Sequence, residues 1–266
     1  MRHFEAYGRT ETGLVREANE DHILLGRFIK NRGALGVQFA ADDDFLSSHG
    51  MLFAVADGVG GHAGGHAASK LALNTFDAQF YSAKKDTSRL EAVKEALESA
   101  ADRANQTLLN VAASHSEWAN MGCTLAGVCL AAEAYLTFHA GDSRVYRVRN
   151  GFAKQLTSDD SIVRLAVETG QMTPEEAENS PARHTITNVL GSPSFQLHIG
   201  QGPALRDGDL LLICSDGLHD MLKHEEIEGC SAASASLESK VDEWIEAALK
   251  AGGHDNVSVV AILCKD

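Results

Sequence analysis

Apolar residues in this chain fall into two kinds of run. Short, nearly continuous ones, bounded by glycine, aspartate or asparagine, predict strands near 3–9, 22–28, 51–56, 123–131, 134–140, 143–149, 196–200, 209–214 and 257–263. Longer runs repeat at helical spacing. Ala68, Leu71, Ala72, Thr75 and Phe76 form a stripe within 66–80, and Leu90, Val93, Leu97, Ala100, Ala104, Leu108 and Val111 form another within 88–112. A third, Leu237, Val241, Trp244, Ile245, Ala248 and Leu249, lies within 235–251, with Gly252 as its C-terminal stop. Such stripes face a core and do not mark a cofactor site. Asn150-Gly151, set between two strand patterns, predicts a hairpin. Strands and helices do not alternate as βαβ units. Two consecutive helices and two sets of strands predict an α+β fold in which helices cover an antiparallel β-sandwich.

Two segments break the pattern. Residues 157–190 hold two short helical stretches, SIVRLAVETG and TPEEAEN, the second opened by a capping box of Thr173 and Glu176. An interruption of this length reads either as a functional lid or as ordinary surface helices. Residues 29–50, of mixed polarity and with an acidic AADDDF stretch, read as a solvated surface insertion. No repeat, low-complexity tract or proline-rich linker divides the chain, so 1–266 reads as one domain.

The acidic residues add chemistry to this outline. Asp57 closes MLFAVADG, Asp216 follows DLLLICSDG, Asp255 opens DNVSVVAIL, Asp142 follows YLTFHAGDSR, and Glu20-Asp21 precede HILLG. Strand ends gathered at one sheet edge would bring these carboxylates together, where they repel unless cations neutralise them. All-oxygen ligation suits hard divalent ions such as Mg²⁺ and Mn²⁺. Each Asp-Gly pair taken singly also reads as a plain turn. The formal net charge of −14 argues against nucleic acid and anionic membranes as partners. Five cysteines without framework spacing predict a reducing compartment. The opening MRHFEAYGRTETG has no apolar signal-like segment, so the cytoplasm is expected.

Four strings carry a resemblance: VREANED (15–21), VADGVGGHAGG (55–65), AGDSR (140–144) with MGCT (121–124) upstream, and CSDGL (214–218) with GGHDNVS (252–258). In order and spacing, across nearly the whole chain, they resemble the metal-dependent Ser/Thr protein phosphatases of type 2C in their compact bacterial form. The resemblance implies an α-β-β-α sandwich, with 157–190 as a flap, and two Mn²⁺ or Mg²⁺ ions per site with a weaker third. It implies that Asp57 bridges the two metals, that the Gly58 carbonyl ligates one and that Asp216 and Asp255 ligate the other. Asp21 and Glu20 would act mainly through metal-bound waters, Asp142 would help hold the third ion, and Arg16 would grip the substrate phosphate. The implied reaction is hydrolysis of phosphoserine and phosphothreonine by a metal-bridging water. Phosphorylated proteins are the implied substrates and a Ser/Thr kinase the implied counterpart, with the phosphatase itself expected to be a monomer.

The chemistry is coherent without the family. Phosphate monoesters hydrolyse extremely slowly in water, and a two-metal centre both activates water and neutralises developing charge. Arginine offers a planar donor fork that lysine lacks. GVGGHAGG lacks the lysine of a phosphate-binding loop, and its glycines read as packing the metal edge. His62 is either a proton donor to the leaving alkoxide or a residue that packs at a helix start. Three positions depart from the family pattern: Asp160, where bacterial relatives commonly have histidine; Asn188, where they often have arginine; and Cys123, where threonine is usual. These bear on substrate handling and not on the reaction. A dead adaptor that keeps the fold is the competing reading, but such proteins usually lose metal ligands and this chain retains Asp57, Asp216, Asp255 and Arg16.

Overall fold

A computed structural model describes residues 2–60, 62–132, 134–233 and 236–266, with the backbone alone described for 62, 63, 232 and 233. In chain order its strands are β1 (His3–Glu11), β2 (His22–Leu25), β3 (Phe28–Lys30), β4 (Gly33–Ala40), β5 (Met51–Ala56), β6 (Gly58–Val59), β7 (Gly122–Cys123), β8 (Leu125–Leu130), β9 (Tyr135–Ala140), β10 (Arg144–Arg149), β11 (Phe152–Gln155), β12 (His198–Gly202), β13 (Leu210–Cys214) and β14 (Val257–Lys265). The helices are α1 (Asp44–His49), α2 (His62–Phe80), α3 (Leu90–Ser114), α4 (Ile162–Glu168), α5 (Pro174–Glu178), α6 (Asp216–His219), α7 (His224–Ala233) and α8 (Leu237–Lys250).

Continuous apolar runs arise because these strands are buried on both faces. In β5, Leu52, Ala54 and Ala56 pack with α2 and α3, whereas Phe53 and Val55 face the other sheet. In β13, Leu211 and Ile213 lie between the sheets, and Leu210, Leu212 and Cys214 pack under α7 and α8. Helices, sheet, sheet and helices therefore form stacked layers with a core at each of three junctions, the expected α-β-β-α arrangement. The two six-stranded antiparallel sheets run β11-β10-β13-β14-β1-β4 and β12-β9-β8-β5-β2-β3. The predicted hairpin joins β10 and β11, with positive φ at both Asn150 and Gly151.

One expectation is corrected. Residues 29–50 are not merely a solvated insertion, because they supply β3 and β4, an edge strand for each sheet, and α1. β4 pairs with β1 from His3↔Ala40 to Thr10↔Gly33. An edge strand with one wetted face needs no unbroken apolar run, so its sequence did not announce it. The predicted strand at 123–131 is also interrupted. It breaks at Thr124, whose N–H donates to the Asp57 carbonyl (2.8 Å) and whose Oγ1 accepts from the Asp57 N–H (3.1 Å). Residues 157–190 carry α4 and α5, with the Thr173–Glu176 capping box in place. Isolated bridges Ser161↔Ile186 and Cys123↔Leu190 pin the base of this flap.

Register decides what meets at the edge. His22 pairs with Ala56 and Leu125 with Ala140, so Asp21, Asp57 and Asp142 leave the second sheet on one side. Arg144 pairs with Cys214 and Cys214 with Val259, so Asp216 and Asp255 leave the first sheet next to its β10 end. Ser215 joins the two sheets there, donating its hydroxyl to Asp21 Oδ2 at 2.8 Å.

The helix layer on the first sheet hangs on Trp244, which is fully buried and donates Nε1–H to the Ile227 carbonyl at 2.9 Å. Trp244→Ala should lower unfolding free energy by roughly 3–5 kcal/mol, and Trp244→Phe by less. Urea midpoints check this, and a Trp244→Ala midpoint equal to wild type would show that the layer does not depend on the indole.

Candidate metal centre

Each acidic side chain at this edge is held by its own backbone setting. Asp57 follows β5, clamped through both its N–H and its carbonyl to Thr124. Thr124 Oγ1 also shares a hydrogen bond with Ser143 Oγ (2.8 Å), next to Asp142 in the β9–β10 turn. Asp216 opens α6, and Asp255 precedes β14. Asp21 is fully buried, and a chain of hydroxyls supports it: the Ser258 N–H donates to Ser215 Oγ (3.0 Å), and Ser258 Oγ donates to Thr10 Oγ1 (2.7 Å). Glu20 lies against α2. A methyl group at Gly65 would collide with both Glu20 Oε2 and the Gly58 carbonyl, so only glycine lets these two oxygens converge there. Arg16 sits on the loop before β2, half exposed, and donates Nη2–H to Asp255 Oδ2 at 2.6 Å.

The electrostatics show what the edge lacks. Burial, then the charges of Asp21, Asp216, Asp142 and Asp255, push the Asp57 carboxyl well above its ordinary range. Burial, then Asp142 and Asp255, does the same to Asp216. Burial raises Asp21 to about 6 despite the hydrogen bond from the Ser215 hydroxyl, and burial also raises Asp142. Asp21 Oδ1, Asp142 Oδ1 and Asp216 Oδ1 are shut off from solvent and have no hydrogen-bond partner. Leaving ionised oxygens so placed is strongly unfavourable, and divalent cations answer the deficit directly. The donors are carboxylates and one backbone carbonyl, the set that hard ions take. The residues present thus fit the Mg²⁺ or Mn²⁺ that the sequence implied.

The structure brings Asp21, Asp57, Asp142, Asp216, Asp255, Glu20, Gly58 and Arg16 to one edge. The His62 side chain lies outside the described residues. Sequence reasoning missed several participants. Asn256 gathers the N-terminal loop: its Oδ1 accepts from Glu20 N–H (2.8 Å), and its Nδ2 donates to the Thr12 and Ala18 carbonyls. On the flap, His184 pairs with Asp220 (3.1 Å), and ligand atoms of His184, Asp216 and Asp220 lie within 4.8 Å of one another. No local signal marks His184, because its partners are remote in sequence. Asp220, at the end of α6 in CSDGLHD, was adjacent to a motif and could have been noticed. Two departures from the family pattern touch: Asn188 Nδ2 donates to Asp160 Oδ2 at 2.7 Å. Cys123 is buried and pairs with Gly58 in the β6–β7 ladder.

Comparison with known proteins gives the class. The family model for protein phosphatase 2C matches residues 35–259, so the chain belongs to that family and is a metal-dependent protein serine/threonine phosphatase. It is 31% identical over 255 residues to a putative protein phosphatase 2C-type of Streptococcus pyogenes, covering 96% of this chain and 95% of the relative. Its fold is similar to that of the S. agalactiae serine/threonine phosphatase (TM-score 0.84, 28% identity, 98% and 99% coverage). It is also similar to the catalytic domain of PstP in complex with two manganese ions (TM-score 0.77, 29% identity, 100% of both chains). Among the described residues no helix is long and apolar enough to cross a membrane.

The carboxyl shifts have a consequence for stability. A carboxyl raised in the folded state contributes stability that is full below its unfolded value near 4 and is lost as pH rises through the folded value. In EDTA, Asp57→Asn should therefore gain in melting temperature over wild type as pH rises from 5 to 8, by several degrees, and the gain should shrink in Mn²⁺. Thermal melts of both proteins check it. A pH-independent difference would mean that the edge carboxylates do not repel in the folded state.

Proposed function

We propose that this edge hydrolyses phosphoserine and phosphothreonine in protein substrates at a dinuclear divalent centre. Asp57, the Gly58 carbonyl, Asp216 and Asp255 would hold its two ions. The observation that carries the reading is the group of buried carboxylate oxygens without partners at Asp21, Asp142 and Asp216. When bound, the ions supply Lewis-acid chemistry that acidifies water and neutralises phosphate charge. The protein's part is placement. Thr124 fixes Asp57 from both sides, so its carboxylate is delivered from a rigid strand end. Asp21 and Glu20 orient waters of the centre. Asp142, whose field Asp216 shares, would help hold a weaker third ion. Arg16 is anchored by Asp255 through one N–H and half exposed, which leaves its fork able to meet two phosphate oxygens.

In this reading the whole chain works as one monomeric phosphatase unit, the flap borders the substrate path, and a Ser/Thr kinase makes the substrates. Five unpaired cysteines, four of them buried, favour a reducing cytoplasm. Oxygen-only donors accept Mn²⁺ and Mg²⁺ alike. His62 as proton donor stays a separate proposal, testable by the pH dependence of kcat in His62→Gln.

Purified protein should turn over a phosphate monoester with Mn²⁺ or Mg²⁺ and fall silent in excess EDTA. Asp57→Asn should lower kcat by about a hundredfold or more while circular dichroism stays native, in the range of losses typical when electrostatic catalysis is removed. Full activity without metal, or near-native turnover by the variant, would overturn the centre. A fold-retaining adaptor would show no turnover under any metal.

Arg16→Ala should raise KM for phosphopeptides by about tenfold or more, and Arg16→Lys should recover only part of it, because a point charge lacks the bidentate geometry. Steady-state kinetics on one phosphopeptide decides this. Unchanged KM in Arg16→Ala would make Arg16 a surface residue paired with Asp255.

A further inference from the structure

Asp160 lies at the flap's first turn, outside the ligand set, yet it holds more of the molecule together than its position suggests. Its side chain is largely buried. Oδ2 accepts from the Gly141 N–H at 3.0 Å and from Asn188 Nδ2 at 2.7 Å, and Oδ1 pairs with His198 Nε2 at 3.1 Å. Its own N–H donates to the Gly141 carbonyl at 3.0 Å, and its carbonyl accepts from the Thr187 N–H at 2.8 Å. Three segments thus converge on this residue at the flap's start: the β9–β10 turn, the flap's return and β12.

The grip on Gly141 is the informative part. Both backbone polar groups of Gly141 are held, on either side of its Cα, in the residue immediately before Asp142. Gly141 has a φ of 105°, and a Cβ there would press on Thr124, the residue that clamps Asp57. Little freedom is left for the backbone that aims the Asp142 carboxylate. The same carboxylate holds Asn188 at the flap's return.

We infer that Asp160 is a positioning residue that couples the flap to Asp142, so that flap placement and cation binding at Asp142 bias one another. The inference rests on the reading of Asp142 as a ligand of the weaker ion. Outer partners of metal ligands typically matter about 10–100-fold in metal affinity, and coupling between sites is reciprocal.

The test uses the full chain and Mn²⁺ alone, with metal titration by calorimetry and amide hydrogen exchange with and without metal. Asp160→Ala should need about 10–100-fold more Mn²⁺ to fill the weakest site, while the two tighter sites fill as in wild type. Amides of 141–143 and 187–190 should exchange faster, and Mn²⁺ should no longer slow exchange in the flap. Asp160→Asn keeps an oxygen for the Gly141 N–H and should stay near wild type in both readouts. Asn188→Ala is a milder probe that leaves the Gly141 grip in place. It should loosen 187–190 and shift the weak titration by a smaller factor in the same direction.

A weak-site titration unchanged in Asp160→Ala and Asn188→Ala, or Asp160→Asn behaving like Asp160→Ala, would overturn the coupling. Asp142→Ala separates the two failures. If it removes the weak site while the Asp160 variants leave that site intact, the ligand reading stands and the coupling falls. If it too leaves the weak titration unchanged, the ligand reading falls and the coupling falls with it.

Discussion

Like charge held together in a dry place is the constraint on which this structure turns. Burial and mutual repulsion push Asp57 and Asp216 far from their ordinary range, and Asp21 and Asp142 follow. Left to itself, such an edge would splay or protonate. It cannot splay freely, because the carboxylates hang from strand ends whose register is fixed by cores elsewhere: between the sheets, under α2 and α3, and under α7 and α8. Apolar burial far from the site offsets the unfavourable electrostatics within it, as expected where function stores strain.

The polar residues around the edge are arranged for the same end. Ser215 Oγ accepts from the Ser258 N–H and donates to Asp21 Oδ2, so one Asp21 oxygen is satisfied while Oδ1 has no partner. Asn256 ties the loop carrying Arg16 and Glu20 to the start of β14, next to Asp255. The phosphate-gripping arginine of the proposed reaction and its neighbouring ligand therefore share one anchor. Displacing either moves the other, which is how a site built from distant parts of the chain behaves as a unit.

Much of this was legible in the sequence, for a physical reason. Strands buried on both faces are written as unbroken apolar runs, so the acidic residues that end them stand out, and Asp57, Asp142, Asp216 and Asp255 could be read directly. The two-sheet class followed from the order of strand and helix patterns. Pairing did not, because register is a long-range property that no local pattern encodes. Hence β3 and β4 were missed as edge strands, and α1, α6 and α7 are too short for periodicity to show. His184 was invisible as a site neighbour because the flap returns to this edge through contacts with residues tens of positions away, whereas Asp220 stood next to a motif and Asp160 was noted only as a departure from the family pattern. The glycines of 58–65 were read as packing this edge, but which oxygens Gly65 admits was hidden, since Glu20 and Gly58 meet there across a loop.

Charge finally links the fold to its substrate. The chain carries a net charge of −14, and the edge concentrates its carboxylates where the proposed reaction brings a phosphate. A phosphoryl group is repelled both by the whole field and by the site. Arg16 alone cannot reverse this, being partly neutralised by Asp255. Divalent ions can, because each brings two charges into a buried volume where the interaction is little screened. The same carboxylate cluster that weakens the metal-free fold thus becomes, once its charge is answered, a receptor for an anion. Metal binding, local stability and phosphate recognition are three readings of one electrostatic balance. The flap, tied by Asp160 to the turn that carries Asp142, is the segment of chain best placed to sense that balance.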